Sequence, residues 1–185
     1  MRSYDFSRLR TLVVDDDRHM RAIYTKILSG FGIRTILDVA DAINGLDALA
    51  AFRPDFAIID YELPGMDGIE FLRTVRTSPA SLEPCMPILF ITGYADAGIV
   101  RRARDAGANE IMRKPITVPD LYARLAAMIE RPRPFVRAPG YVGPCRRRHA
   151  NIGYAGVERR AGETEFRRNL AQRMNEVAFG GRGRR

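Results

Sequence analysis

From residue 11 onward, two hydrophobic patterns alternate along the chain. Short apolar runs rich in β-branched residues are followed by longer stretches in which apolar positions recur every three or four residues. Thr11-Leu-Val-Val14, Thr35-Ile-Leu-Asp-Val39, Phe56-Ala-Ile-Ile59, Ile88-Leu-Phe-Ile91 and Glu110-Ile-Met-Arg113 read as strands. The third is apolar throughout, as a strand buried on both faces must be. Between them the spacing predicts helices over Arg18–Ser29, Ala42–Phe52, Gly68–Arg76, Asp96–Ala106 and Val118–Glu130. The first carries Met20, Ile23, Tyr24, Ile27 and Leu28 on one face; the last carries Leu121, Tyr122, Leu125, Met128 and Ile129. Gly30 and Gly32 end the first helix, Pro54 sharpens the stop of the second, and Gly107 ends the fourth.

Five such strand–helix units predict an α/β fold: a five-stranded, doubly wound parallel sheet with helices on both faces. Ligands in sheets of this kind sit beyond the carboxyl ends of the strands, so chemistry is expected just after each strand. The long, proline-bearing segment Thr77–Met86 then falls on the opposite rim.

The pattern breaks after residue 130. Residues 131–140 hold three prolines and a glycine and read as a linker, so the chain divides into a domain over 1–130, a linker over 131–140 and a tail over 141–185. The tail contains a weak repeat, Tyr141-Val-Gly-Pro-Cys-Arg-Arg echoed by Tyr154-Ala-Gly-Val-Glu-Arg-Arg. Over 163–179, Phe166, Leu170, Met174 and Val177 would line one stripe of a helix. The rest of the tail is expected to be largely irregular.

Charge follows the same division. The whole chain has a net charge of +8, but residues 1–130 hold 16 basic against 18 acidic side chains, whereas residues 131–185 hold 14 arginines against four glutamates. The basic character belongs to the tail, and it favours an acidic partner such as nucleic acid, an anionic surface or an acidic protein. On the fourth helix, Arg101, Arg102 and Arg104 read as a solvated face or a docking surface. Two cysteines, Cys85 and Cys145, make no disulfide framework and are expected to stay reduced. No apolar run is long enough for a signal peptide or a membrane span, and a cytoplasmic location is expected.

The strand ends carry the candidate chemistry. Asp15-Asp16-Asp17 follows the first strand, Asp60 the third, Thr92 the fourth and Lys114-Pro115 the fifth. Carboxylates gathered in one cleft repel one another, and a divalent cation relieves the repulsion; few ligands and retained water suit Mg2+. A carboxylate can also act as a nucleophile on phosphorus. An ammonium and a hydroxyl are then suited to the equatorial oxygens of the transferred group. Each residue alone is an ordinary turn or surface residue; the ordered combination is specific. Asp17 reads as the N-cap of the first helix.

Val13-Val-Asp-Asp16, Ile59-Asp-Tyr-Glu-Leu-Pro-Gly-Met-Asp-Gly68, Ile91-Thr-Gly93 and Lys114-Pro-Ile-Thr117 resemble the receiver domain of bacterial response regulators, over roughly residues 8–130. The resemblance implies that Asp60 accepts a phosphoryl group from a histidine kinase or histidine phosphotransferase. It implies Mg2+ held by Asp15, Asp16, Asp60 and the backbone carbonyl of Glu62, with Lys114 and Thr92 contacting the phosphoryl group. Gly93 takes the place of a small residue that leaves room for access, and Pro115 completes the lysine motif. The position three before the lysine, where such domains place an aromatic switch residue, is Ile111 here, and Tyr94 reads as a surface tyrosine or, second, as an alternative aromatic reporter. The chemistry implied is confined to the protein's own phosphoryl group, so it is a signalling protein rather than an enzyme. Output is expected through phosphorylation-dependent contacts with a downstream protein, or alternatively through nucleic acid bound by the arginine-rich tail.

Overall fold

The computed structural model describes residues 4–79, 81, 83–138 and 140–146. Five parallel strands, β1 (Arg10–Val14), β2 (Thr35–Val39), β3 (Phe56–Asp60), β4 (Ile88–Thr92) and β5 (Glu110–Arg113), form one sheet in the order β2-β1-β3-β4-β5. The helices between and after them are α1 (Arg18–Gly30), α2 (Ala42–Phe52), α3 (Gly68–Thr77), α4 (Ala97–Ala106) and α5 (Val118–Glu130). The expected doubly wound architecture is therefore the observed one, with boundaries that differ from the sequence reading by a residue at several element ends.

Strand alternation divides the core in two. Val13, Ile58, Leu89, Ile91 and Met112 point to one face, where they meet Tyr24 and Leu28 of α1 and Leu121, Leu125 and Ile129 of α5. Leu12, Val14, Ala57, Ile59, Ile88 and Phe90 point to the other and meet α2, α3 and α4. β3 and β4 are buried along their whole length, which accounts for their unbroken apolar sequence. Ile23 was expected on the buried face of α1, but it is 43% exposed because α1 buries only the stripe through Tyr24 and Leu28.

Each helix starts on a side-chain cap. Asp17, Asp41, Asp67, Asp96 and Thr117 accept backbone N–H bonds at the first turns of α1 to α5. Asp17 is thus an N-cap, as its position after the acidic pair suggested. Before β1, Tyr4 and Phe6 pack with Phe31 and Tyr122 as a cluster of rings, and the Tyr4 hydroxyl donates to Glu130. The sequence reading left this N-terminal segment without a structural role.

The segment after α5 also differs from expectation. Residues 131–140 were read as a linker, yet β6 (Phe135–Ala138) and β7 (Tyr141–Pro144) form an antiparallel hairpin. Gly140 turns it with φ of 74°, and Cys145 N–H closes it on the Pro134 carbonyl at 2.6 Å. Pro134 and Gly140 bound and turn a hairpin here. Close packing holds it to the domain: a β-carbon on Gly143 would lie 2.8 Å from Gly107 Cα, and one on Gly107 would lie 2.8 Å from the Val142 carbonyl oxygen. The arginine-rich remainder, including the helix expected over 163–179 and the second repeat at Tyr154, lies outside the described residues. No helix among the described residues is long and apolar enough to cross a membrane.

Candidate functional site

The strand order reverses direction between β1 and β3, which makes a crevice at their carboxyl ends. Asp15 is the first residue beyond β1 and Asp60 the last of β3, and both are almost fully buried. Asp16 is exposed beside them. One carboxylate oxygen from each of the three lies within 4.8 Å of the others, so the cluster is positioned to coordinate a divalent cation.

Among the described residues, a single cation answers this charge. Lys114, just beyond β5, places Nζ 2.8 Å from Asp60 Oδ1 and 3.2 Å from Asp15 Oδ2. The remaining oxygens lean on the backbone: Asp15 Oδ1 accepts Asp17 N–H at 2.8 Å and Asp60 Oδ2 accepts Glu62 N–H at 3.1 Å. Among the described residues, the buried Asp60 Oδ1 meets the Lys114 ammonium at 2.8 Å and no other hydrogen-bond donor, so it keeps unspent acceptor capacity. That oxygen, with the hard all-carboxylate donor set, fits a divalent cation such as Mg2+.

Burial raises the pKa of Asp15, and the neighbouring Asp60 charge raises it further. Burial likewise raises Asp60, against the pull of Lys114 and the Glu62 N–H. For Lys114, burial alone would lower the pKa; its contacts with Asp60 and Asp15 win, and the ammonium is held more firmly protonated than usual. The crevice is therefore a site of excess negative charge with one fixed cation at its edge.

Local backbone features put these groups in place. A β-carbon on Gly68 would fall 2.1 Å from the Asp60 carbonyl oxygen, so only glycine lets the start of α3 return this close to the end of β3. Gly68 N–H meanwhile donates to the Tyr61 carbonyl at 2.8 Å. Lys114 N–H donates to the Thr92 carbonyl at 2.8 Å, which ties the lysine loop to the end of β4, and the Lys114–Pro115 peptide is cis.

Thr92 ends β4 in a buried position, and its hydroxyl accepts Tyr94 N–H at 3.1 Å. Gly93 leaves open space where a side chain would stand. Ile111 is half-buried in β5 against the core on the α4 side. The structure thus groups Asp15, Asp16 and Asp60 and sets Lys114 against Asp15 and Asp60, with Thr92, Gly93 and Pro115 on the same rim and Ile111 one strand away.

Two features escaped the sequence reading. The Tyr94 hydroxyl donates to Glu62 Oε1 at 2.7 Å, and its ring stands edge-on to Tyr61 at 5.7 Å, which joins the loops after β3 and β4; the bond to Glu62 raises the Tyr94 pKa. On α1, the Tyr24 hydroxyl is buried without a hydrogen-bond partner among the described residues, and burial with the nearby Asp15 and Asp60 charges raises its pKa strongly. No spacing in the sequence signals either one, since both depend on how separate elements dock.

The chain belongs to the response regulator receiver domain family, whose profile matches residues 11–126. Among curated relatives, it is 34% identical over 127 residues to the DNA-binding response regulator MtrA of Mycobacterium tuberculosis H37Rv, covering 69% of this chain and 53% of MtrA. The chain thus spans about half the length of that relative. Among solved structures, a CheY-like receiver domain protein from Methanospirillum hungatei JF-1 superposes with a TM-score of 0.60 at 29% identity, covering 66% of this chain and 94% of that one. The receiver domain of a sensor histidine kinase from Pseudomonas aeruginosa PAO1 superposes with a TM-score of 0.56 at 26% identity, covering 63% of this chain and 93% of that one; it was solved with a magnesium ion coordinated in its active-site cleft.

Proposed function

We propose that Asp60 is the phosphoacceptor of a two-component phosphorelay, with a phosphohistidine on a histidine kinase or histidine phosphotransferase as donor. The observation that carries this reading is the pairing of a buried, partly unsatisfied Asp60 carboxylate with Lys114 at 2.8 Å in a three-carboxylate crevice. An Asp60 oxygen attacks phosphorus in line; the P–N bond breaks as the P–O bond forms, and the departing imidazole takes up a proton. Lys114 exchanges part of its contact with Asp60 for an oxygen of the transferred group, and the Thr92 hydroxyl donates to another.

Asp15, Asp16, Asp60 and the Glu62 carbonyl would hold Mg2+, which when bound supplies positive charge to the equatorial oxygens. The phosphoryl group, more negative than the carboxylate it replaces, and recruitment of Thr92 then alter the surface beyond β4 and β5, where a downstream protein reads the state. The nucleic-acid alternative rests on the arginine-rich tail over 141–185, of which residues 147–185 lie outside the described residues. Incubation with acetyl phosphate and Mg2+, followed by intact mass measurement, tests the assignment. The wild type should gain one phosphoryl group and Asp60→Asn none; equal labelling of the variant would move the phosphoacceptor elsewhere.

A further inference from the structure

α4 is lightly seated on the sheet. Its buried residues are Ile99, Ala103 and Ala106, whereas α3 buries the larger Ile69, Phe71, Leu72 and Val75. Apolar stabilisation scales with the area buried, so the core holds α4 less firmly than α3. The ion pair between Arg102 and Asp67, at 3.5 Å, is exposed and adds little. Elements with few buried apolar contacts are the ones that open or shift first in a folded domain.

The hairpin adds a second hold at the C-terminal end of α4. Gly107 caps the helix with φ of 102°, and it packs against β7 so closely that a β-carbon would lie 2.8 Å from the Val142 carbonyl oxygen. Arg146 pairs with Asp105, in the last turn of α4, at 3.1 Å, and its guanidinium carbon lies 4.0 Å from the centre of the Tyr141 ring. Arg133 bridges the joint: Nη1 donates to the Asn109 carbonyl at 3.1 Å and Nε to the Cys145 carbonyl at 3.0 Å. These hairpin residues lie beyond residue 126, where the family match ends, so this hold on α4 comes from outside the matched domain.

The other end of α4 is tied to the crevice. Residues 93–96 are all that separates Thr92 from the first turn of α4, and the Thr92 hydroxyl is engaged with this loop through the Tyr94 N–H at 3.1 Å. A Thr92 hydroxyl drawn to a phosphoryl group on Asp60 pulls the short loop and, through it, the lightly seated helix. A shift of α4 strains its far end, where the contact between Gly107 and β7 has no slack. We propose that the C-terminal hairpin is a latch that holds α4 in its unphosphorylated position, so that seating of the hairpin and phosphorylation of Asp60 oppose each other. The coupling is reciprocal: the latch weakens phosphorylation by the factor by which phosphorylation weakens the latch. The latch regulates the site proposed above, and it rests on that reading for the link from Asp60 to Thr92.

Hydrogen exchange and labelling kinetics on the full chain test both directions of the coupling. Beryllofluoride with Mg2+, which occupies an aspartate as a phosphoryl group would, should speed exchange over β6 and β7 about fivefold in the wild type and leave Asp60→Asn unchanged. Gly143→Val suits a strand but sets a β-carbon 2.8 Å from Gly107 Cα, so it should unseat the hairpin and speed labelling by acetyl phosphate and Mg2+ about fivefold. Arg146→Glu, which sets a carboxylate against the exposed Asp105, should act in the same direction by under about twofold. A hairpin that serves stability alone would lower the melting temperature of Gly143→Val without faster labelling. That result overturns the latch, as does hairpin exchange left unchanged or slowed by beryllofluoride in a wild type that labels on Asp60. A wild type that takes up no phosphoryl group overturns the phosphoacceptor reading itself.

Discussion

The guanidinium of Arg76 lies 5.0 Å from the centre of the Phe135 ring, joining α3 to the hairpin that follows α5. Arg76 is 2% exposed, and its nitrogens donate to the carbonyls of Gly107, Pro84 and Met86 and to Asn109 Oδ1 at 2.8–3.1 Å. Burial pulls its pKa down to about 9, so it is still charged at neutral pH. It fastens the far rim of the sheet, and Phe135 is part of its cover.

Truncation after Glu130 should therefore lower the stability of the receiver core itself. Phe135→Ala should cost about 3 kcal/mol as a buried aromatic replaced by a cavity. Arg76→Ala, which strips four acceptors of a charged donor, should cost at least as much. Urea unfolding of the three variants checks this; a truncated chain with the wild-type midpoint would show that the hairpin only rests on the surface.

Arg76 and Phe135 also mark where the sequence stops being readable. The five strands and five helices were legible because each carries its own period and its own cap, as in Phe56–Asp60 and the Asp17 cap. The grouping of the candidate residues was legible because parallel-sheet topology gathers strand ends, so the sequence alone puts Asp15, Asp60, Thr92 and Lys114 on one rim. The hairpin was not: two strands of four residues are too short to show a period, and their prolines and glycines imitate a linker. Nor was the Glu62–Tyr94 bond, which depends on two loops meeting.

Lys114→Ala should destabilise the fold in metal-free buffer. Among the described residues, the substitution removes the only side-chain cation in contact with the two buried carboxylates, and it leaves Asp15 and Asp60 to repel each other at a cost of about 3 kcal/mol. Adding Asp60→Asn to the same chain should recover much of that loss, because the repulsion needs both charges. Thermal melts of the single and double variants in EDTA check it; simple additivity would mean that Lys114 stabilises through its aliphatic stem instead.

Divalent metal and pH should oppose each other at the crevice. Asp15 and Asp60 both have pKa values raised above the ordinary 3.8, so the native state holds more protons than the unfolded chain from pH 3.8 up through the raised values. Without metal, their contribution to stability is greatest below that window and is lost as pH rises through it. Mg2+ should reverse the loss at neutral pH, by about 2.7 kcal/mol at a hundred times its Kd. Its affinity should fall as pH is lowered through the raised values. Urea unfolding with EDTA or Mg2+ across pH, in wild type and Asp60→Asn, measures both; an Mg2+ effect of equal size in the variant would put the ion outside the crevice.

Glu62 and Tyr94 stand two residues beyond Asp60 and Thr92, and the bond between their side chains ties together the two loops that flank the crevice. Both side chains are exposed, so the bond should add well under about 1 kcal/mol to stability. Its effect should be kinetic. A loosened tie frees the Tyr94 ring and admits water to phosphorylated Asp60, so Tyr94→Phe and Glu62→Gln should each shorten the phosphoryl half-life. Since the bond is worth less than about 1 kcal/mol, the change in rate should stay below roughly fivefold. The double variant should be no faster than either single one, because the second substitution has no bond left to break. Half-lives from intact mass at successive times after removal of acetyl phosphate decide it: multiplied effects in the double variant would mean that the two side chains act on the phosphoryl group separately.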